Sequence, residues 1–218
     1  MKIALAQLNY HIGNFEYNKK RIIDHIEKAK SDQADLIIFS ELSVSGYPPQ
    51  DLLDYHNFIL QCDRYLKEIA QYCEGIGAVL GGPRLNPNPK GKKLLNSAFF
   101  LLNGKIEFVQ DKTLLPTYDI FDEYRYFEQN KKFNVLEYQG YKIALTVCED
   151  LWDDQPAENY YGRQELYTTS PMEKLMEYQP DILINIAASP FAYTKIWGKK
   201  NIFLRKAKQY NLPVFYVN

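Results

Sequence analysis

The stretch Tyr141–Trp152, YKIALTVCEDLW, most narrows what this chain can fold into. Ile143–Val147 has the length and β-branching of a buried strand, and it stops abruptly at Cys148, Glu149 and Asp150. In α/β sheets, ligands bind and catalytic side chains gather at the carboxyl ends of strands. A thiol followed by two acids at such a point is therefore a candidate nucleophile. Cysteine is also among the most buried residue types, so position alone fits an inert, packed thiol as well.

The rest of the chain supplies strands and helices around this one. Lys2–Leu8 predicts a first buried strand, and Glu16–Lys30 predicts a helix with Ile22, Ile23, Ile26 and Ala29 on one face. Asp35–Ser40 predicts a second buried strand that ends in Glu41, before the turn-rich SVSGYPPQD. One amphipathic helix is expected over Asp51–Cys73, which makes Cys62 and Cys73 packing residues. A third strand follows over Gly75–Gly82, then a Gly/Pro/Asn-rich loop to Gly91. Leu94–Leu102 and Lys105–Gln110 form a hairpin about Asn103-Gly104, and the second arm ends near Lys112. Thr113–Lys132 is a long aromatic and acidic connection, a length more often functional than not. A hairpin about Gln139-Gly140 then leads into Cys148. Beyond a polar loop, Ser170, Pro171 and Glu173 announce a helix to Tyr178, followed by a strand over Asp181–Ala188, a basic helix over Trp197–Tyr210 and a last strand over Pro213–Val217. A chain that stops on a strand at Asn218 is expected to be a fragment of something longer.

Composition removes several classes of function. The 26 basic and 27 acidic residues are interspersed and sum to −1, which offers no electrostatic footprint for nucleic acid or an anionic membrane. Three cysteines without C-x-x-C spacing argue against a disulfide framework or a structural zinc site, and a reducing cytoplasm fits them best. Neither a secretory leader nor a membrane-spanning run is present in the sequence given. Metal ligation is not expected. At 218 residues with 46% hydrophobic content, one domain with a sizeable core is expected.

A cysteine nucleophile needs a base, and histidine is poorly placed to be one: His11, His25 and His56 all precede the third strand, and only His11 lies near a strand mouth. G-x-S-x-G, H-E-x-x-H and G-x-x-x-x-G-K-[ST] patterns are all missing. What remains is Glu41, Lys112 and Cys148, each at the carboxyl end of a separate apolar strand. Together they are complete for acyl transfer: a carboxylate to take the thiol proton, a thiolate to attack a carbonyl and an ammonium to stabilise the oxyanion. Taken singly, Glu41 would be a cap and Lys112 a solvated strand end.

At these residues the sequence resembles the nitrilase, or carbon-nitrogen hydrolase, superfamily, whose members use a Glu-Lys-Cys triad. Four strings narrow the resemblance to the glutaminase domains of glutamine-dependent NAD+ synthetases: SELSVSGYPPQDLL from Ser40, DKTLLPTYDIFDEYRYF from Asp111, VCEDLW from Val147, and the terminal PVFYVN. The resemblance implies an α/β fold of the nitrilase type, a four-layer αββα sandwich truncated at its carboxyl end and spanning residues 1–218. It implies Glu41 as general base, Lys112 as stabiliser of the oxyanion, Cys148 as nucleophile forming a γ-glutamyl thioester, and Glu123 as a supporting second glutamate. It further implies Tyr118, Glu149 and Ser189 as contacts of glutamine, with the Glu149 backbone N–H donating to the oxyanion. A basic residue is expected soon after Ser189-Pro190, where Lys195 and Lys199 compete and the YTKIW segment departs from the family pattern. No cofactor is implied for this domain; ATP and Mg2+ belong to a synthetase domain missing from this chain, which would use the ammonia to amidate nicotinic acid adenine dinucleotide to NAD+. A homo-oligomer is implied as well. Two other readings stay open: a stand-alone amidase acting on another small amide, and a catalytically silent assembly domain.

Overall fold

The computed structural model describes residues 1–118, 120–154, 156–159, 162–190 and 196–218; for 156–159, 162–165 and 196–199 only the backbone is described. Strand β1 (Ile3–Leu5), helix α1 (Phe15–Ser31) and strand β2 (Leu36–Ile38) open the chain in the expected order. Asn14 caps α1 by accepting the Tyr17 N–H, and Phe15, Ile22, Ile26 and Ala29 form the buried stripe of that helix. The single helix predicted over Asp51–Cys73 is instead a 3-10 turn, Gln50–Asp54, and a helix α2 (His56–Ala70). Tyr55 separates them in extended backbone, a break that the apolar spacing does not signal.

Strand β3 (Gly77–Leu85) runs past Gly82 into the stretch read as loop. Its antiparallel ladder with β4 (Leu94–Leu102) continues to the pair Leu85–Leu94, so only the tip of that stretch is left as a turn. Strand β5 (Lys105–Asp111) returns about Asn103-Gly104, and β6 (Leu136–Tyr138) joins β7 (Tyr141–Val147) about Gln139-Gly140. All four turn residues lie at positive φ, between 48° and 79°, as a tight hairpin of matching twist requires. Between the two hairpins, the long connection contains one helical turn, α3 (Glu123–Tyr126). The polar stretch after Trp152 holds an unexpected hairpin, β8 (Pro156–Asn159) and β9 (Gly162–Glu165). Helix α4 (Pro171–Met176) is capped by Ser170, which accepts the Glu173 N–H. Strand β10 (Ile182–Ile186), helix α5 (Ile196–Tyr210) and strand β11 (Val214–Val217) complete the described chain.

The strands build two main sheets. One has the order β1-β2-β3-β4-β5, with the first three parallel; the other has the order β11-β10-β7-β6, again with three parallel strands and one antiparallel neighbour. The alternation of side chains along each strand then fixes the layers. Leu36, Ile38, Val79 and Phe100 of the first sheet face Ile143, Leu145, Ile184 and Ile186 of the second, forming a shared central core. The intervening residues point the other way: Ile37, Phe39, Ala78 and Leu80 pack under α1 and α2, and Ala144 and Leu183 pack under Met172, Leu175 and Phe203 of α4 and α5. Strands buried on both faces explain why these runs read as continuous apolar stretches. The result is the four-layer αββα sandwich. No helix among the described residues is long and apolar enough to cross a membrane.

Candidate active site

Four strand ends deliver the predicted residues to one place. Glu41 follows β2, Lys112 follows β5 directly, Cys148 follows β7 directly and Ser189 follows β10. The Lys112 ammonium is fully buried and lies 2.8 Å from Glu41 Oε1 and 2.7 and 2.9 Å from the two oxygens of Glu123. Glu41 Oε1 also accepts Asn96 Nδ2 at 2.8 Å, and Oε2 accepts the Ala188 backbone N–H at 2.9 Å, so its carboxylate is held by donors from both sheets. Glu123, at the first position of α3, is thus the second carboxylate on Lys112 and not a surface acid.

Close approach of backbone fixes where Glu41 sits. A Cβ on Gly81 of β3 would lie 2.3 Å from Leu42 N and 2.7 Å from Glu41 Cα, so only glycine admits the loop that carries Glu41. The Gly81 N–H donates to Ser40 O, and the Gly81 carbonyl accepts the Val44 N–H and the Ser43 hydroxyl.

Cys148 adopts φ +46°, the left-handed region that costs a non-glycine residue about 1–2 kcal/mol. The turn is held by Asp150, a residue that the sequence reading left without a role. Its Oδ2 accepts the Val147 N–H at 3.1 Å, while its Oδ1 accepts the N–H groups of Thr113 and Leu114, both at 2.9 Å. One buried carboxylate therefore ties the residue before Cys148 to the two residues after Lys112. Nothing in sequence spacing signals this, because it depends on the packing of two sheets. Asn185 adds a donor to Cys148 O at 3.3 Å.

Burial pushes the Cys148 thiol well above its ordinary range; the charge of Glu41 pushes it further, against the pull of Lys112. Burial alone would lower the Lys112 ammonium, but the carboxylates of Glu123 and Glu41 hold it well above its ordinary value. Glu123 is raised by burial and by Glu41, with Lys112 opposing. The Lys112 ammonium, the Glu41 and Glu123 carboxyls and the Cys148 thiol are all buried.

Cys148 Sγ lies 3.5 Å from Ser189 Oγ. Glu149 Oε1 accepts the Tyr118 hydroxyl at 2.7 Å, which brings those two predicted residues together, and it accepts a second, unpredicted hydroxyl from Tyr167 at 2.8 Å. Lys195 lies outside the described residues, as does the side chain of its competitor Lys199. Two of the histidines have other partners: His11 stacks on Tyr17 at 4.2 Å, and His25 pairs with the Arg21 carbonyl. No cluster of metal-ligating side chains exists among the described residues.

The chain belongs to the carbon-nitrogen hydrolase family, whose model matches residues 2–177. Its relatives narrow the class. A glutamine-dependent NAD(+) synthetase of Synechocystis sp. is 38% identical over 99% of this chain, and one of Aquifex aeolicus is 31% identical over all of it. The solved glutamine-dependent NAD+ synthetase of Acinetobacter baumannii superposes with a TM-score of 0.84 at 32% identity, covering 97% of this chain and 37% of that one. An amidase from Nesterenkonia sp. AN1, 19% identical, shares the fold with a TM-score of 0.77, covering all of this chain and 78% of the amidase. The chain spans 39% of the Synechocystis protein and 35% of the Aquifex protein.

Proposed function

We propose that this chain hydrolyses the side-chain amide of glutamine through a thioester on Cys148. It thereby supplies ammonia, within a longer protein, for the ATP-dependent amidation of nicotinic acid adenine dinucleotide to NAD+. The observation that carries the reading is Lys112 buried between Glu41 and Glu123 beside a buried thiol, in a chain whose relatives are glutamine-dependent synthetases.

Glu41 takes the proton of the Cys148 thiol as Sγ attacks the amide carbon. The Lys112 ammonium, with the Glu149 backbone N–H, stabilises the oxyanion, and Glu123 keeps Lys112 charged and aimed. Glu41 then returns its proton to the departing nitrogen; the C–N bond breaks and ammonia leaves a γ-glutamyl thioester. Water gives a proton to Glu41 and attacks the thioester, the C–S bond breaks, and the sulfur regains the proton from Glu41 as glutamate departs. Glu149, Tyr118 and Ser189 hold the amino-acid end of the substrate, which favours glutamine over a simple amide. Free thiols at Cys62, Cys73 and Cys148 fit a cytoplasmic enzyme.

The test is ammonia release from glutamine by the intact protein, wild type against Cys148→Ala, with acid-quenched protein examined for a glutamyl adduct. The expected result is turnover and an adduct in wild type and neither in the variant. Turnover that survives in Cys148→Ala, or wild-type turnover of simple amides with glutamine ignored, defeats the reading.

A further inference from the structure

Glu149 is only 5% exposed, and among the described residues it is hydrogen-bonded by neutral donors alone. Both donors fall on the same oxygen. Tyr118 reaches Oε1 from the long connection of the first sheet, and Tyr167 reaches it from the segment that follows β9. None of the described residues donates to Oε2. Burial disfavours the charge of a carboxylate this enclosed, and phenols only partly replace water. Burial indeed raises the Glu149 carboxyl, with Tyr118, Tyr167 and Lys112 pulling it back.

The terminal torsion of a glutamate is broad and nearly two-fold, so a single hydroxyl leaves the carboxylate plane loosely set. Two hydroxyls arriving on one oxygen from separate segments restrict that rotation and leave the other oxygen as the free acceptor. We infer that Tyr167 is a positioning residue that sets substrate specificity: jointly with Tyr118 it fixes Glu149 Oε1 so that Oε2 is presented to the α-ammonium of the amide substrate. This rests on the reading of the site as one for glutamine. The β8–β9 hairpin acquires a purpose on this account, since it leads the chain from the nucleophile back to the mouth of the same site.

The experiment compares Tyr167→Phe with wild type in the intact protein, using glutamine and 4-carbamoylbutanoate, which is glutamine without its amino group. Tyr167→Phe removes one hydroxyl and keeps the ring, and thermal unfolding checks that the fold is retained. A hydrogen bond to a charged group is worth about 1.5–3 kcal/mol, so KM for glutamine should rise roughly tenfold or more, with kcat within about twofold. The kcat/KM for 4-carbamoylbutanoate should stay within about twofold, since that substrate has no ammonium to place. An unchanged KM for glutamine overturns the inference, and so does an equal loss on both substrates, which is the mark of general loosening. If wild type releases no ammonia from glutamine, the proposed function fails first and this inference falls with it.

Discussion

Replacing Gly81 by alanine tests whether the position of Glu41 is set by close packing of backbone. The new Cβ would stand 2.3 Å from Leu42 N, 2.7 Å from Glu41 Cα and 2.8 Å from Glu41 C, where ordinary contact begins at 3.4 Å. The backbones must therefore separate by about 1.1 Å, the difference between 3.4 and 2.3 Å. No flexible side chain can yield instead, because both sides of the contact are main chain: Gly81 pairs with Ala98 in the sheet, and Glu41 is held by Asn96, Lys112 and the Ala188 N–H. Overpacking of this kind costs about 1–3 kcal/mol, offset by about 0.4–1 kcal/mol from the stiffer unfolded chain. The melting temperature should fall by only a few degrees. Activity should fall much further, since a misplacement of about 1 Å at a catalytic group costs on the order of 10²-fold. The assay is steady-state ammonia release from glutamine beside thermal unfolding, with Gly82→Ala as the control. The nearest atoms to a Cβ there belong to Phe99 at 3.5 Å and Val44 at 3.7 Å, ordinary van der Waals contacts, so that variant should be close to wild type. A folded Gly81→Ala protein with activity within about threefold of wild type would refute the claim that this contact places the base.

Two further substitutions probe the charges. Glu41→Gln removes a negative neighbour that raises the thiol, leaving Lys112 to pull it down. Alkylation of Cys148 by iodoacetamide should then shift to lower pH in the variant while amide turnover is lost, and an upward or absent shift would contradict the electrostatics. Asp150→Asn keeps one acceptor oxygen but sets an NH2 against an N–H donor of either Val147 or Thr113 and Leu114. The expected cost is about 1–3 kcal/mol in thermal unfolding with a disproportionate loss of kcat, and a variant with wild-type kcat would show that the tie does not position the site.

Much of this arrangement is legible in the sequence because it follows from local physics. Runs such as Leu36–Ile38, Ile143–Val147 and Ile182–Ile186 are apolar on both faces, and each delivers a polar residue at its carboxyl end. Asn103-Gly104 and Gln139-Gly140 announce their hairpins through the left-handed backbone those residues tolerate. Other features escape a linear reading. Pro83–Leu85 cannot be named as a strand from the sequence, because a proline argues locally against one, and only pairing with Leu94–Asn96 extends β3 that far. Asp150, Asn96 and Tyr167 are ordinary polar residues until two sheets and a hairpin bring them against the backbone beyond Lys112, Glu41 and Glu149. Their roles are tertiary, and no spacing rule reaches them.

The two sheets each contribute one part of the candidate site. Glu41, Lys112 and Glu123 come from the first sheet and its connection, and Cys148, Asp150 and Ser189 from the second. During synthesis the first group emerges while β7 and β10 do not yet exist, so its three charges meet in water, where their attraction is weak and screened. Only when the second sheet closes does the Ala188 N–H reach Glu41 and the Asp150 carboxylate reach Thr113 and Leu114. The second sheet therefore completes the buried cluster: until it docks, the carboxyl of Glu41 and the backbone after Lys112 lack the partners that hold them.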